Sequence, residues 1–183
     1  MHQVGAQALS MLLVKDIDVE NADPLSVIAA ERTQQYRICD DLERLADQLG
    51  GPVDIDAYSS VTAQLQSDLP IYHRDEEALF ELMMGVDAGD RLLANCIRQA
   101  VSQHAAIQAY VFELSEPLIE IGNGVTPRNL DTFGYMLRYC FEGVRQHLQW
   151  EDVSIFRELP DAGMPIDRNC LRQAMLRNRA HMP

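Results

Sequence analysis

The sequence predicts an all-α protein: an up-down-up-down four-helix bundle with a short extra helix at the C-terminal end. Three observations carry that reading. Four long segments place apolar residues on one face at helical spacing. Helix-starting Asp and Pro residues and helix-stopping Gly residues punctuate the chain between them. No segment shows strand alternation, a βαβ rhythm or a glycine-rich phosphate loop after an apolar run. Long amphipathic helices joined by short turns pack as antiparallel neighbours around one core.

Residues 1–22 have no clear period and read as an irregular arm, followed by the bundle over 23–160 and a C-terminal helix and tail over 161–183. Asp23-Pro24 starts helix one with an N-cap and a proline at the first helical position. That helix runs to about Leu49, where Gly50-Gly51-Pro52 stops it, and its apolar face carries Leu25, Ile28, Cys39, Leu42 and Ala46. Helix two spans Asp54 or Asp56 to about Met84-Gly85, with Val61, Leu65, Leu69, Leu79, Phe80 and Met83 on one face. Pro70 inside that pattern predicts a kink or a break. Asp87-Ala-Gly-Asp90 is a short connection with capping aspartates, and it lacks the further acidic positions of a calcium loop. Helix three covers Asp90 to Ile121, and Gly122-Asn-Gly124 ends it. Thr126-Pro127 opens helix four, which carries Phe133, Met136, Leu137, Cys140, Val144 and Ile155 and ends near Leu159-Pro160. A shorter helix over Asp167 to Arg179 closes the chain.

The 183 residues suffice for one domain with a core, and 47% hydrophobic with 23% charged residues is an ordinary globular balance. With 15 basic against 28 acidic residues the net charge is -13, which argues against nucleic-acid and anionic-membrane partners. No run approaches the ~20 apolar residues of a membrane span. Ala8 to Val14 is short, has no Lys or Arg before it and does not read as a signal peptide. Cys39, Cys96, Cys140 and Cys170 are widely spaced with no CxxC, so they read as small thiols in a reducing cytoplasm. Whether Met11 to Val14 packs on the bundle or mediates a homodimer stays open.

Several polar residues fall where the core should be. On a helical wheel, His147 and Glu151 lie within the apolar arc of helix four, one turn apart on the same face. His104 sits near the middle of the arc of helix three, between Ala100, Val101, Ile107 and Val111. On helix two, Tyr72 and Glu76 lie close to the arc centre, with His73 and Glu77 at its edge. On helix one, Gln35 is inside the arc and Arg32 at its margin. A lone core histidine is usually a hydrogen-bonded structural residue. Two histidines and two glutamates from three helices are different, because uncompensated buried carboxylates are costly and repel each other. A metal cation removes both problems, and imidazole and oxygen ligands suit iron, manganese or zinc.

The stretches Asp68-Leu-Pro-Ile-Tyr-His-Arg-Asp-Glu-Glu-Ala-Leu-Phe80 and His147-Leu-Gln-Trp-Glu-Asp-Val-Ser-Ile-Phe156, with His104 between them, resemble the hemerythrin-like, or HHE cation-binding, family. The resemblance covers roughly Pro24 to Leu159. It implies a four-helix bundle holding two irons through a His on helix one, HxxxE on helix two, a His on helix three and HxxxE on helix four. His147 and Glu151 match the helix-four ligands, and His104 the helix-three ligand. At the helix-one histidine position this chain has Arg32, after Glu31 and seven residues before Cys39. Helix two reads in two registers: Tyr72 with Glu76, which the wheel prefers, or His73 with Glu77.

The resemblance thus implies an altered site with iron, as one ion or two, or with none. Arg32 would stand where a second metal would sit, paired with Glu76 or Glu151. Three functions follow as expectations. The first is a metal module binding or sensing O2, NO or peroxide. The second is a bundle without metal that acts in protein interaction or regulation. An enzyme ranks last, since no Ser/His/Asp or Cys/His arrangement is indicated and His2 and His181 lie near the chain ends.

Overall fold

The computed structural model describes residues 18–86, 89–125, 127–158 and 165–180. Among these residues every regular element is helical. The α-helices are α1 (Pro24–Asp47), α2 (Ile55–Ala63), α3 (Leu69–Val86), α4 (Arg91–Gly122), α5 (Leu130–Ser154) and α6 (Arg168–Ala180), and they pack as a helical bundle. No helix among the described residues is long and apolar enough to cross a membrane. The expectations placed on Met11 to Val14, His2 and His181 lie outside the described residues.

The caps account for most helix starts. Asp23 accepts from the Ser26 N–H, Asp54 from Ala57, and Asp90 from both Leu92 and Leu93, satisfying donors that the first turn leaves free. Asp167 does the same for α6 through Asn169 and Cys170. At the other end of α1, Gly50 takes φ of 84°, a left-handed conformation that a glycine adopts without strain.

One expectation about elements changes. The start given to helix four falls partly on Thr126, outside the described residues; past Pro127, α5 starts at Leu130, with the Asn129 side chain capping the Thr132 N–H. Just ahead of Pro70 the α-helix is interrupted, as the proline's place in the pattern predicts. A π-helical segment, Gln64–Asp68, joins α2 to α3, and the Leu69 N–H reaches back to the Gln64 carbonyl. The wide turn just ahead of the proline takes up its missing N–H and its ring, so the chain stays helical. Of the supposed N-terminal arm, Asp18 to Ala22 forms a turn, and Val19 is buried in the core.

The packing follows the apolar faces. α1 lies chiefly on α5, α2 on α4, α4 on α5, and α6 against α3. Two apolar clusters result. One contains Ile38, Leu42, Leu65, Leu69, Val111, Leu137 and Val144. The other contains Val27, Ile28, Leu79, Phe80, Ile97, Ile155 and Met175. Between them each long helix contributes buried polar side chains: Arg32 and Gln35 between Ile28 and Ile38, His73 and Glu76 before Leu79, His104 between Ala100 and Val111, and His147 and Glu151 between Val144 and Ile155. The core is an apolar–polar–apolar stack across the bundle.

Candidate metal centre

Glu76, Gln35 and Glu151 are fully buried, and His73, His104, His147 and Arg32 nearly so. Ionised groups persist at such depth only with close partners. Arg32 supplies one set. Its Nη1 donates to Glu76 Oε1 at 2.8 Å and to Glu151 Oε2 at 2.6 Å. Its Nη2 donates to the Leu148 carbonyl at 3.0 Å and to Asp152 Oδ1 at 2.7 Å. Phe156 lies under the guanidinium at 3.8 Å, and the Tyr36 hydroxyl donates to the second oxygen of Asp152. Gln35 Nε2 adds a bond to Glu76 Oε1 at 3.1 Å. Arg32 therefore pairs with both glutamates at once, where the sequence suggested one or the other.

Each glutamate thereby spends one oxygen on Arg32 and keeps one. Glu76 Oε2 and Glu151 Oε1 have no hydrogen-bond partner, and neither do His73 Nε2, His104 Nε2 and His147 Nε2. Their residues form two overlapping groups that share His104. The donor atoms of His73, His104 and His147 lie within 4.8 Å of one another, as do those of Glu76, His104 and Glu151. His104 Nε2 is 3.4 Å from Glu76 Oε2 and 3.5 Å from Glu151 Oε1, and His147 Nε2 is 3.3 Å from Glu151 Oε1. Those separations exceed the about 2.7–2.9 Å of a charge-assisted N–H···O bond. They suit something else. Two ligand atoms each about 2.1 Å from one ion at a tetrahedral angle lie about 3.4 Å apart.

The outer faces of two rings fix which nitrogen is offered. His104 Nδ1 meets Glu77 Oε1 at 3.0 Å, and His147 Nδ1 meets Gln103 Oε1 at 2.9 Å. Both partners are acceptors, so each Nδ1 carries a proton and donates it, and Nε2 is the nitrogen turned toward the cluster. Carboxylate or amide oxygens behind metal-ligating imidazoles serve this purpose. His73 stacks flat on His104, with ring centres 4.1 Å apart.

The charges of these side chains are strongly shifted. Burial alone would depress the His104 imidazole, but the facing carboxylates of Glu151, Glu76 and Glu77 push it up to about 11. Burial and then the neighbouring His104 hold His147 down to about 3, and the same two causes put His73 well below the ordinary imidazole value. Burial favours the neutral form of Glu76, yet His104 and Arg32 outweigh it and hold the carboxyl below the usual range. Glu151 moves up, through burial and repulsion from Glu76.

The sequence-predicted residues divide as follows. His104, His147, Glu151 and Glu76 come together as expected. On helix two neither register stands whole: His73 comes from one and Glu76 from the other. Tyr72 belongs to the apolar cluster, and the charges its phenol feels are those of Asp68, Glu31 and Arg179, none from the polar layer. Glu77 stands behind His104 and is not among the converging residues. Sequence reasoning missed Gln103, whose only signal was a polar side chain next to a core histidine. It also missed Asp152 and Tyr36, which complete the clamp on Arg32. The four cysteines are unpaired, with burial pushing Cys39 and Cys140 up to about 12. Comparison of the chain with protein-family models, with curated proteins and with solved structures finds no match in any of the three.

Proposed function

We propose that α1, the α2–α3 pair, α4 and α5 form an up-down-up-down hemerythrin-like bundle whose polar layer holds one metal ion, best iron. In this reading the protein binds or senses O2, NO or peroxide. His104 and His147 would hold the ion through Nε2, Glu76 through Oε2 and Glu151 through Oε1, with the His73 ring stacked on that of His104. The observation that carries the proposal is the set of four orphaned buried donor atoms on His104, His147, Glu76 and Glu151, with His104 and His147 turned inward by Glu77 and Gln103. Arg32 is the fixed second cation: it occupies the outer oxygens of both glutamates, so the layer takes one ion where a paired site would take two. A bound iron supplies a redox-active Lewis acid able to accept a small diatomic or peroxide ligand. The chain's own contribution is to exclude bulk water, to fix the imidazole tautomers and to release the His104 proton as the ion enters.

A second reading has its own support. With His104 protonated, two buried cations, Arg32 and His104, offset the two buried glutamates, with Asp152 and Glu77 at the rim, and the layer works as a purely structural network in an interaction module. The 3.3–3.5 Å spacing favours the ion over this network, because a protonated imidazole would draw the carboxylates closer. Elemental analysis of protein from iron-supplemented cells separates the two. The expected result is about one ion per chain in the native protein and close to none in His147→Ala, as a ligand set of this kind requires. A value near zero, unchanged by the substitution, removes the metal reading. About two irons per chain with an oxo-bridge absorption band removes the role given to Arg32.

A further inference from the structure

Outside the polar layer, the face between α4 and α5 carries a groove of about 390 Å³ that ends on His147. Its size lies in the range of small-molecule sites, about 300–1,000 Å³. Its walls are unusual for this chain. Tyr110, Tyr139 and Trp150 line it together with Ile107 and Val144, and none of its lining residues is Asp, Glu, Lys or Arg. In a protein of net charge -13 an uncharged surface concavity is a local exception. The rings of Tyr110 and Tyr139 sit 4.6 Å apart, and the Tyr110 hydroxyl is held by the Met136 carbonyl, so an aromatic wall is fixed in place. The Cys140 thiol at the groove is pushed up to about 12 by burial and stays neutral.

Two amides provide the polar contacts. Gln103 and Gln146 line the groove, and Gln103 spends its carbonyl oxygen on His147, leaving its NH2 group to donate. On the other side, Gly143 opens the space: a Cβ built there meets nothing within 4 Å. We propose that this groove is a binding site for a small, uncharged, flat aromatic molecule, stacked on the Tyr110, Tyr139 and Trp150 rings and hydrogen-bonded to Gln103. Aromatic faces prefer such partners, and an anion or cation would lose its hydration with no counter-charge in return. The occupant would sit directly outside the amide that orients His147. The site rests on the α4–α5 groove and not on the presence of an ion.

The test uses the full chain after removal of metal by chelation, so that its outcome is independent of the metal reading. Trp150 is the sole tryptophan, and quenching of its emission by 2-naphthol reports the groove directly, with equilibrium dialysis in parallel. Saturable one-site binding is expected. 2-Naphthoate, the same ring system bearing a charge, should bind at least about tenfold more weakly. Gly143→Leu, whose Cβ meets nothing within 4 Å, and Tyr139→Arg, a change at a side chain 67% exposed, should each weaken 2-naphthol by about tenfold or more. Non-saturable partitioning, equal affinity for 2-naphthoate, or undiminished binding in both variants overturns the proposal.

Discussion

At the scale of single residues, Arg32 sets the character of the layer. It touches both glutamates, a backbone carbonyl and Asp152, and it lies over Phe156. Arg32→Met keeps the length of the side chain and removes the charge, leaving two buried carboxylates facing each other. The metal-free variant should lose about 3–5 kcal/mol, read as a lower urea midpoint at unchanged slope. Glu31 makes a different prediction. Burial, and next the carboxylate of Asp75, push its carboxyl far above the ordinary value of 4.5, in spite of the Arg179 guanidinium bonded to it. Above that value the folded chain keeps a proton that the unfolded chain has released, so stability falls as pH rises from about 4.5 through neutrality. Glu31→Gln, which cannot ionise, should flatten that slope, and unfolding midpoints measured across the window check it. Arg32 was legible in the sequence as a cation at a histidine position, but its double pairing was not. Gln103 and Glu77 were not legible as histidine partners either, because a helical wheel shows which face a residue takes and says nothing of its neighbour on another helix.

At the scale of elements, the π-helical segment bears on how helix two presents its polar residues. A wheel drawn through Val61 and Leu65 assumes uniform rotation, and one wide turn inserts an extra residue ahead of His73. Beyond it Tyr72 and His73 are both buried, Tyr72 in the apolar cluster and His73 in the polar layer, while Glu76, Leu79 and Met83 keep the inward face the wheel gave them. The aspartate caps of α1, α2 and α4 could be read from sequence because a cap is a local event. The start of α5 is likewise a local event, the Asn129 cap, at a position the Thr-Pro signal upstream drew attention away from. α6 is held by chemistry that no local signal reveals. Arg179 binds Glu31 and donates to Asp75 at 2.6 Å, and Asn178 donates to Asp75 at 2.7 Å. Arg179→Ala would take the hydrogen-bond partner from buried Glu31 and the guanidinium from buried Asp75, and undock the helix. Hydrogen exchange should then rise through α6 while the amides of α4 and α5 keep their protection, and overall stability should drop by about 3 kcal/mol or more.

At the scale of the whole molecule, the proposed ion binding would be linked to folding, since the donors come together only in the folded chain. Chelation should lower the thermal midpoint of the native protein by several degrees and leave His104→Ala unmoved, which a pair of melting curves checks. The apolar–polar–apolar order of the core has a consequence of its own. The cluster around Ile38, Leu65 and Leu137 and the cluster around Ile28, Phe80 and Met175 are separate, with the polar layer between them, so the layer is a seam between two half-cores. Apolar burial stabilises each half-core on its own. Besides the long helices that run through both, Arg32, the two glutamates and the histidines tie the halves together at the seam. The proposed ion would act there as a rivet: seated, it would cross-link helices at the seam, and withdrawn, it would leave the seam the easiest place for the bundle to loosen.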